Sequence, residues 1–185
     1  MRHDGVAHGR FRCPAASRRV TQARKMAAME LIDLPAPRLQ ALMNLSVEVG
    51  EIFDVGASVH GRRRFVPILG GSFAGVLGRG RVLPGGADWQ LVVADTIAQL
   101  DARYVLEFDD GALVYVHNTA LRVATVEVQQ ALMRGELVPD ESLYFRCQPR
   151  FETAAPHLAW LMQHQFIGTA QRRPAAVHLS FFSVH

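Results

Sequence analysis

Only two cysteines occur in the 185 residues, Cys13 and Cys147, far apart and without metal-site spacing. A disulfide scaffold and a cysteine-based zinc centre are thereby excluded. The chain has no run of about 18 apolar residues, so no membrane-spanning helix is expected. It lacks the Gly-x-x-x-x-Gly-Lys of a phosphate loop, and Gly78-Arg79-Gly80 stops short of the third glycine of a dinucleotide fingerprint. It also lacks the Gly-x-Ser-x-Gly turn that presents a nucleophilic serine, which sets a hydrolase of that design aside.

What is present is an ordinary globular composition, 49% hydrophobic and 20% charged. One domain is the expectation at this length, with roughly 68–70% of the unfolded surface open to burial. The cysteine usage suits a reducing compartment, and a cytoplasmic location is expected.

Charge is unevenly placed. Residues 1–28 carry seven basic groups against Asp4, whereas residues 29–185 carry 13 basic and 16 acidic groups, for net charges of +6 and −3. The basic character belongs to the leader, so nothing marks the body as a nucleic-acid binder. Residues 1–28 have few large apolar side chains and cannot offset their ordering entropy, so disorder is expected there. A secretory or twin-arginine signal would need an apolar stretch, and none follows Ser17-Arg18-Arg19. A mitochondrial presequence and a dispensable extension ahead of Met26 or Met29 both fit. Residues 29–185 are expected to form the single folded domain.

Period-2 alternation dominates the body. Ala41, Met43, Leu45, Val47 and Val49 share one face, and Asn44, Ser46 and Glu48 the other, which predicts a half-buried strand. Further strands are expected over 64–69, 89–94, 142–151, 166–170 and 175–184. Pro67 suggests an edge position or bulge in the first of these. Seven of the fifteen glycines fall between Gly70 and Gly86. Glycine at that density lets strands bend sharply and a small barrel close. Two short helices are expected, one over 125–135 with Thr125 as N-cap and Gly135 beyond its end, the other over 156–163 with Pro156 in its first turn.

Residues 102–118 read as a hairpin turning at Asp110-Gly111. A two-residue loop places Tyr104, Leu106, Phe108, Leu113, Tyr115 and His117 on one face, and Arg103, Val105, Glu107, Val114, Val116 and Asn118 on the other. A one-residue slip would change every pair. The first face is the more apolar and is expected inward. The fold class is thus all-β: an antiparallel closed barrel of about eight strands with two short helices.

Three stretches carry a family likeness. They are the run from Gly61 through Arg62-Arg63-Arg64 and Pro67 to Asp88-Trp89, the pairing of Leu100-Asp-Ala-Arg-Tyr104 with Phe108-Asp-Asp-Gly-Ala112, and Tyr144-Phe-Arg146 with Pro149-Arg-Phe-Glu-Thr153 and Trp160-Leu161. Together they resemble a family of small bacterial and fungal proteins known only as uncharacterised (domain of unknown function 3237, uncharacterised protein family 311), over roughly residues 34–184. The resemblance implies a compact β-barrel that assembles as a homo-oligomer and leaves the activity open. Three departures bear on local turns rather than on the fold. Asp95-Thr96 stands where an Asp-Gly turn is common, Asn118-Thr119-Ala120 replaces an Asn-Arg-Gly-like pattern, and Met162 stands where Asn is common.

Candidate chemistry follows from residue type. Tyr104 and His117, as an inward pair, would suit proton transfer on an enol or ketone; two amphipathic core residues would look the same. Asp88 beside Trp89 reads as a desolvated acid or as a turn aspartate next to a packed ring. Arg103 and Glu107, with Asn118, form a ligand-binding constellation if their face is inward and a solvated face otherwise. Glu152 and Trp160 are expected near a pocket mouth, although Glu152 could equally pair with Arg146 or Arg150. His157 and His164 would lie about 10.5 Å apart along a helix, too far to share a metal unaided. Cys147 has no base and is expected to be inert. The resulting expectation is a barrel that binds a small organic molecule and isomerises or cyclises it by acid–base chemistry, with no cofactor, metal, nucleic acid or membrane partner. The competing expectation is a non-catalytic binding or interaction module, its interior filled by its own side chains.

Overall fold

The structure, a computed structural model, describes residues 34–185. The expected disordered leader lies outside the described residues. The strands are β1 (Leu39–Val49), β2 (Phe53–Ser58), β3 (Gly61–Gly75), β4 (Gly78–Val82), β5 (Ala87–Ala94), β6 (Ile97–Phe108), β7 (Leu113–Val123), β8 (Tyr144–Thr153), β9 (Phe166–Arg172) and β10 (Ala176–Val184). A helix, α1 (Val126–Met133), follows β7, and a 3-10 helix, Pro156–Met162, follows β8.

All pairings are antiparallel, and they close. Strand β1 pairs with β10 on one side and β3 on the other; β3 reaches β6 through β4 and β5; and β6 through β10 run in order back to β1. Strands β4 and β5 share one stave, so the wall is an eight-stave closed barrel. Strand β2 hangs on the outer half of β3.

The glycine-rich stretch is strand, as its composition suggested. The first half of β3 pairs with β2 and β5, and the second with β1 and β4. Gly70 and Gly71, with φ +151° and +135°, sit where it changes partners. A Cβ on Gly71 would lie 2.1 Å from the Ser46 carbonyl oxygen, so only glycine fits this crossing. Strands β2 and β4 went unrecognised because Gly56, Gly78 and Gly80 interrupt their alternation.

The hairpin register departs from expectation by one residue. Phe108 N–H donates to the Ala112 carbonyl and Gly111 N–H to the Phe108 carbonyl, each at 2.9 Å. The loop is therefore three residues, Asp109-Asp110-Gly111, with Gly111 at φ +84°. This is the three-residue hairpin in which a glycine in the left-handed region closes a type I turn. Leu106 thus faces Val114, Tyr104 faces Val116, Arg103 faces His117 and Ala102 faces Asn118. Tyr104, Leu106 and Phe108 point inward as expected. On β7 the assignment inverts: Val114, Val116 and Asn118 are buried, and Leu113, Tyr115 and His117 face out.

The interior is divided along its axis. One half is apolar, with Leu42, Phe73, Leu106, Phe108, Val114, Val116, Phe151, Phe166 and Phe181 in one cluster. Leu158 and Leu161 of the 3-10 helix, 2% and 1% exposed, plug that end. Helix α1 begins at Thr125, whose hydroxyl accepts from Val128 N–H, and none of its residues is fully buried. It lies at the other half, where the wall carries polar side chains inward.

Candidate functional site

Going up the inner face of β7, Val114 and Val116 give way to Asn118, Ala120 and Arg122. On β5 the inward positions are Asp88 and Gln90, and on β3 Arg64 lies opposite Gln90 in register. Tyr104 of β6 and Arg172 of β9 complete the set. These side chains line one cavity with Val47, Val49, Leu100, Phe145, Val177 and Leu179, and α1 adds Gln129, Leu132 and Met133 at its rim. The cavity opens to solvent at its rim. Ala102 and Ala120, small residues at inward positions, leave room for it.

The polar groups are poorly satisfied. Asp88 Oδ2 accepts from Gln90 Nε2 at 2.7 Å. Asp88 Oδ1, Tyr104 Oη, Asn118 Oδ1, Arg64 Nε, Arg122 Nε and Gln129 Nε2 are shut from solvent without a hydrogen-bond partner among the described residues. Each such group costs about 1–3 kcal/mol, so six in one cavity is a large unreturned cost for a purely structural interior.

Electrostatics follow from this burial. Desolvation raises the Asp88 carboxyl above the ordinary carboxylate range, against the opposing pull of Gln90 and Arg122. Desolvation likewise pushes the Tyr104 phenol far up, so it stays a neutral hydrogen-bond donor. Burial, with Arg64 nearby, brings Arg122 down to about 10, still charged at neutral pH. Burial also lowers Arg64 and Arg172. The Cys147 thiol is pushed up to about 12, which makes it unreactive.

Of the residues named from sequence, Tyr104, Asp88 and Asn118 reach this cavity. His117 does not: the one-residue slip puts it on the outer wall, with Nε2 3.0 Å from Asp101 Oδ1 but not aligned as a hydrogen bond. Arg103, also outside, pairs with Asp101 at 3.1 Å. Glu107 pairs with Arg81 on the same outer surface. Trp89, 46% exposed, faces out between Asp88 and Gln90 and packs on Phe65, which stacks on Phe53. Glu152 is exposed, opposite Tyr115 on β8. Trp160 packs on Phe166 and His164 at the plugged end, away from the cavity. Gln90, Arg64, Arg122 and Arg172 were missed. An arginine at an inward position of an alternating strand was the available signal: Arg64-Val66-Ile68 and Val114-Val116-Asn118-Ala120-Arg122 both show it. Among the described residues, no group of three or more His, Cys, Asp or Glu stands together as a metal site, and no helix is long and apolar enough to cross a membrane.

The family model described as "Protein of unknown function (DUF3237)" matches residues 37–184. The chain belongs to the DUF3237 family. A UPF0311 protein of Rhodopseudomonas palustris is 41% identical over 150 residues, 81% of this chain and 98% of that one. The crystal structure of an R. palustris conserved protein of unknown function superposes with TM-score 0.78 at 38% identity, over 83% of this chain and 100% of the other. A β-barrel-like protein of Acinetobacter baumannii does so with TM-score 0.71 at 34% identity, over 83% and 99%. An enzyme of Penicillium herquei superposes with TM-score 0.62 at 20% identity, over 84% and 100%, which is a likeness of fold alone.

Proposed function

We propose that this DUF3237 protein binds a small organic molecule in the polar half of its barrel and moves a proton on it, isomerising or cyclising it without a cofactor. One observation carries the reading: solvent-shielded polar atoms from β3, β5, β6 and β7, unpartnered among the described residues, converge on one cavity. Ligand pockets combine apolar walls with a few convergent polar groups, and groups with perturbed pKa values concentrate there.

In this reading Asp88 is the proton-transfer group. A carboxyl raised above its ordinary range is closer to the working pH and exchanges protons more effectively there. Tyr104 donates a hydrogen bond to an oxygen that gains negative charge, and the nearby guanidiniums stabilise that charge in a partly desolvated setting. Gln90 holds Asp88 Oδ2 and leaves Oδ1 free to face substrate. His117, outside the wall, has no part in this chemistry.

A thermal-shift screen of a metabolite library identifies binders. Asp88→Asn should then retain binding of a turned-over hit and lose turnover by about 10²–10⁴-fold. Full turnover by Asp88→Asn would refute the assignment.

A further inference from the structure

The arginines differ in what answers their charge. The exposed ones have water, including Arg38, Arg63, Arg146 and Arg150, which have no carboxylate within 4.0 Å among the described residues. On the outside, Arg62, Arg79, Arg81, Arg103, Arg134 and Arg173 each have a carboxylate within 4.0 Å. Such pairs in solvent contribute little. In the cavity, where an unpaired charge is most costly, Arg64, Arg122 and Arg172 have no carboxylate within that distance among the described residues. Asp88 is the cavity's own carboxylate, and its oxygen is bonded to Gln90 rather than to a guanidinium. Asp54, outside the cavity, whose charge also acts on Arg64, is engaged by Arg62 and by the Gly56 amide. Arg172 is held at the rim by the Ala176 and Pro174 carbonyls, at 3.3 and 3.4 Å. Three positive groups from three strands thus face one space that holds a single carboxyl.

From this we infer that the ligand is an organic acid, its carboxylate held between Arg122 and Arg172 with Arg64 beside them, and its apolar body along Val47, Val49 and Val177. The inference rests on the pocket reading above and names its ligand class. A carboxylate supplies the acceptors that Arg122 Nε and Arg64 Nε lack, and a guanidinium's planar fork suits two-point contact with it. The apolar wall excludes a bare inorganic anion as the preferred occupant, because that ion would leave the valine side chains uncovered. With the guanidiniums' charge answered by the ligand, Asp88 is not needed as their counterion, in keeping with a carboxyl that desolvation raises above its ordinary range.

The test uses the full chain and matched probes: 4-phenylbutanoate with 4-phenylbutanamide, benzoate with benzamide, and inorganic phosphate as the third arm. Calorimetric titration should show each acid binding at least about tenfold tighter than its amide, with phosphate weaker than either acid. Arg122→Gln and Arg172→Gln should each abolish that preference. Without carboxylate the two variants should melt above the wild type, since a like charge has been removed, and with benzoate below it. Equal binding of acid and amide overturns the acid assignment while leaving the pocket reading standing. Phosphate binding as tightly as the acids also overturns it. No binding by any organic probe overturns the pocket reading together with it. Arginine variants that melt below the wild type in every condition show the guanidiniums to be structural. Arg172, half-buried at the rim, carries this last comparison if Arg122→Gln does not fold.

Discussion

Tyr104 and His117 point to opposite sides of the barrel wall: Tyr104 faces Val116 and His117 faces Arg103 across β6 and β7. A single residue in the turn decides this. Tyr104 is 4% exposed inside the barrel, while His117 stands beside Asp101 on the outer surface. The two therefore differ in what their replacement does. Tyr104→Phe removes a buried hydroxyl without a partner, so the unliganded melting temperature should not fall, while ligand affinity or turnover drops. His117→Ala should change stability by no more than about 0.5 kcal/mol and leave ligand binding intact. Denaturant titration and calorimetry on both variants check this; loss of binding in His117→Ala would contradict the inside–outside assignment.

The turn itself can be tested. Gly111 sits at φ +84° with open space where a Cβ would stand, so Gly111→Ala meets backbone strain alone and should cost about 1–2 kcal/mol. Gly71→Ala adds a collision with the Ser46 carbonyl and should be markedly worse, to the point of failed folding. Equal melting temperatures for the two variants would count against the bend assigned to β3.

The apolar end is held by the 3-10 helix. Leu161, 1% exposed, inserts among the core side chains. Leu161→Ala should cost about 2–5 kcal/mol in urea unfolding, the range for a buried leucine truncated to leave a cavity. A loss under about 1 kcal/mol would mean that the helix covers the barrel without sealing it.

Asp88 gives stability a pH dependence. Its carboxyl titrates above its unfolded value, so the folded state holds the proton more tightly. This group favours the fold at low pH, and that advantage is lost as pH rises from the ordinary carboxylate value through the raised one. The groups that bear on it are Gln90 beside it, Tyr104 and Asp101 of β6, Arg64 of β3, Arg122 of β7 and Arg172 of β9. Stability measured against pH for wild type minus Asp88→Asn should decline across that window and then level off. A difference that rises with pH would reverse the sign and point to an ion-paired Asp88.

The barrel was legible because its strands are half-buried. Alternation at Met43-Leu45-Val47-Val49 and Tyr104-Leu106-Phe108 reports a wall with one dry side, and the glycine-rich run reports its bends. The hairpin register was not legible. Asp110-Gly111 suits both a two-residue and a three-residue loop, and the backbone bonds of Phe108 and Gly111 choose the latter. That choice moved His117 out and brought Asn118 and Arg122 in. The site was half legible for the same reason. Tyr104 and Asp88 could be picked by face and type. The arginines were harder to pick: Arg64 and Arg122 run in phase with apolar residues, but a charged residue in an alternating strand is ordinarily the outward one, and only closure of the barrel puts Arg64, Arg122 and Arg172 around one space.

The proposed chemistry depends most on Asp88 being a shielded carboxyl that no cavity arginine engages as an ion pair. The most direct measurement is its own titration, by carboxyl-carbon NMR of the labelled protein, assigned with Asp88→Asn. The expected result is a pKa above the ordinary aspartate value of about 3.9. A pKa below that value would place Asp88 in an ion pair with Arg122 or Arg172, and would contradict both the proton-transfer role and the unanswered positive charge of the cavity.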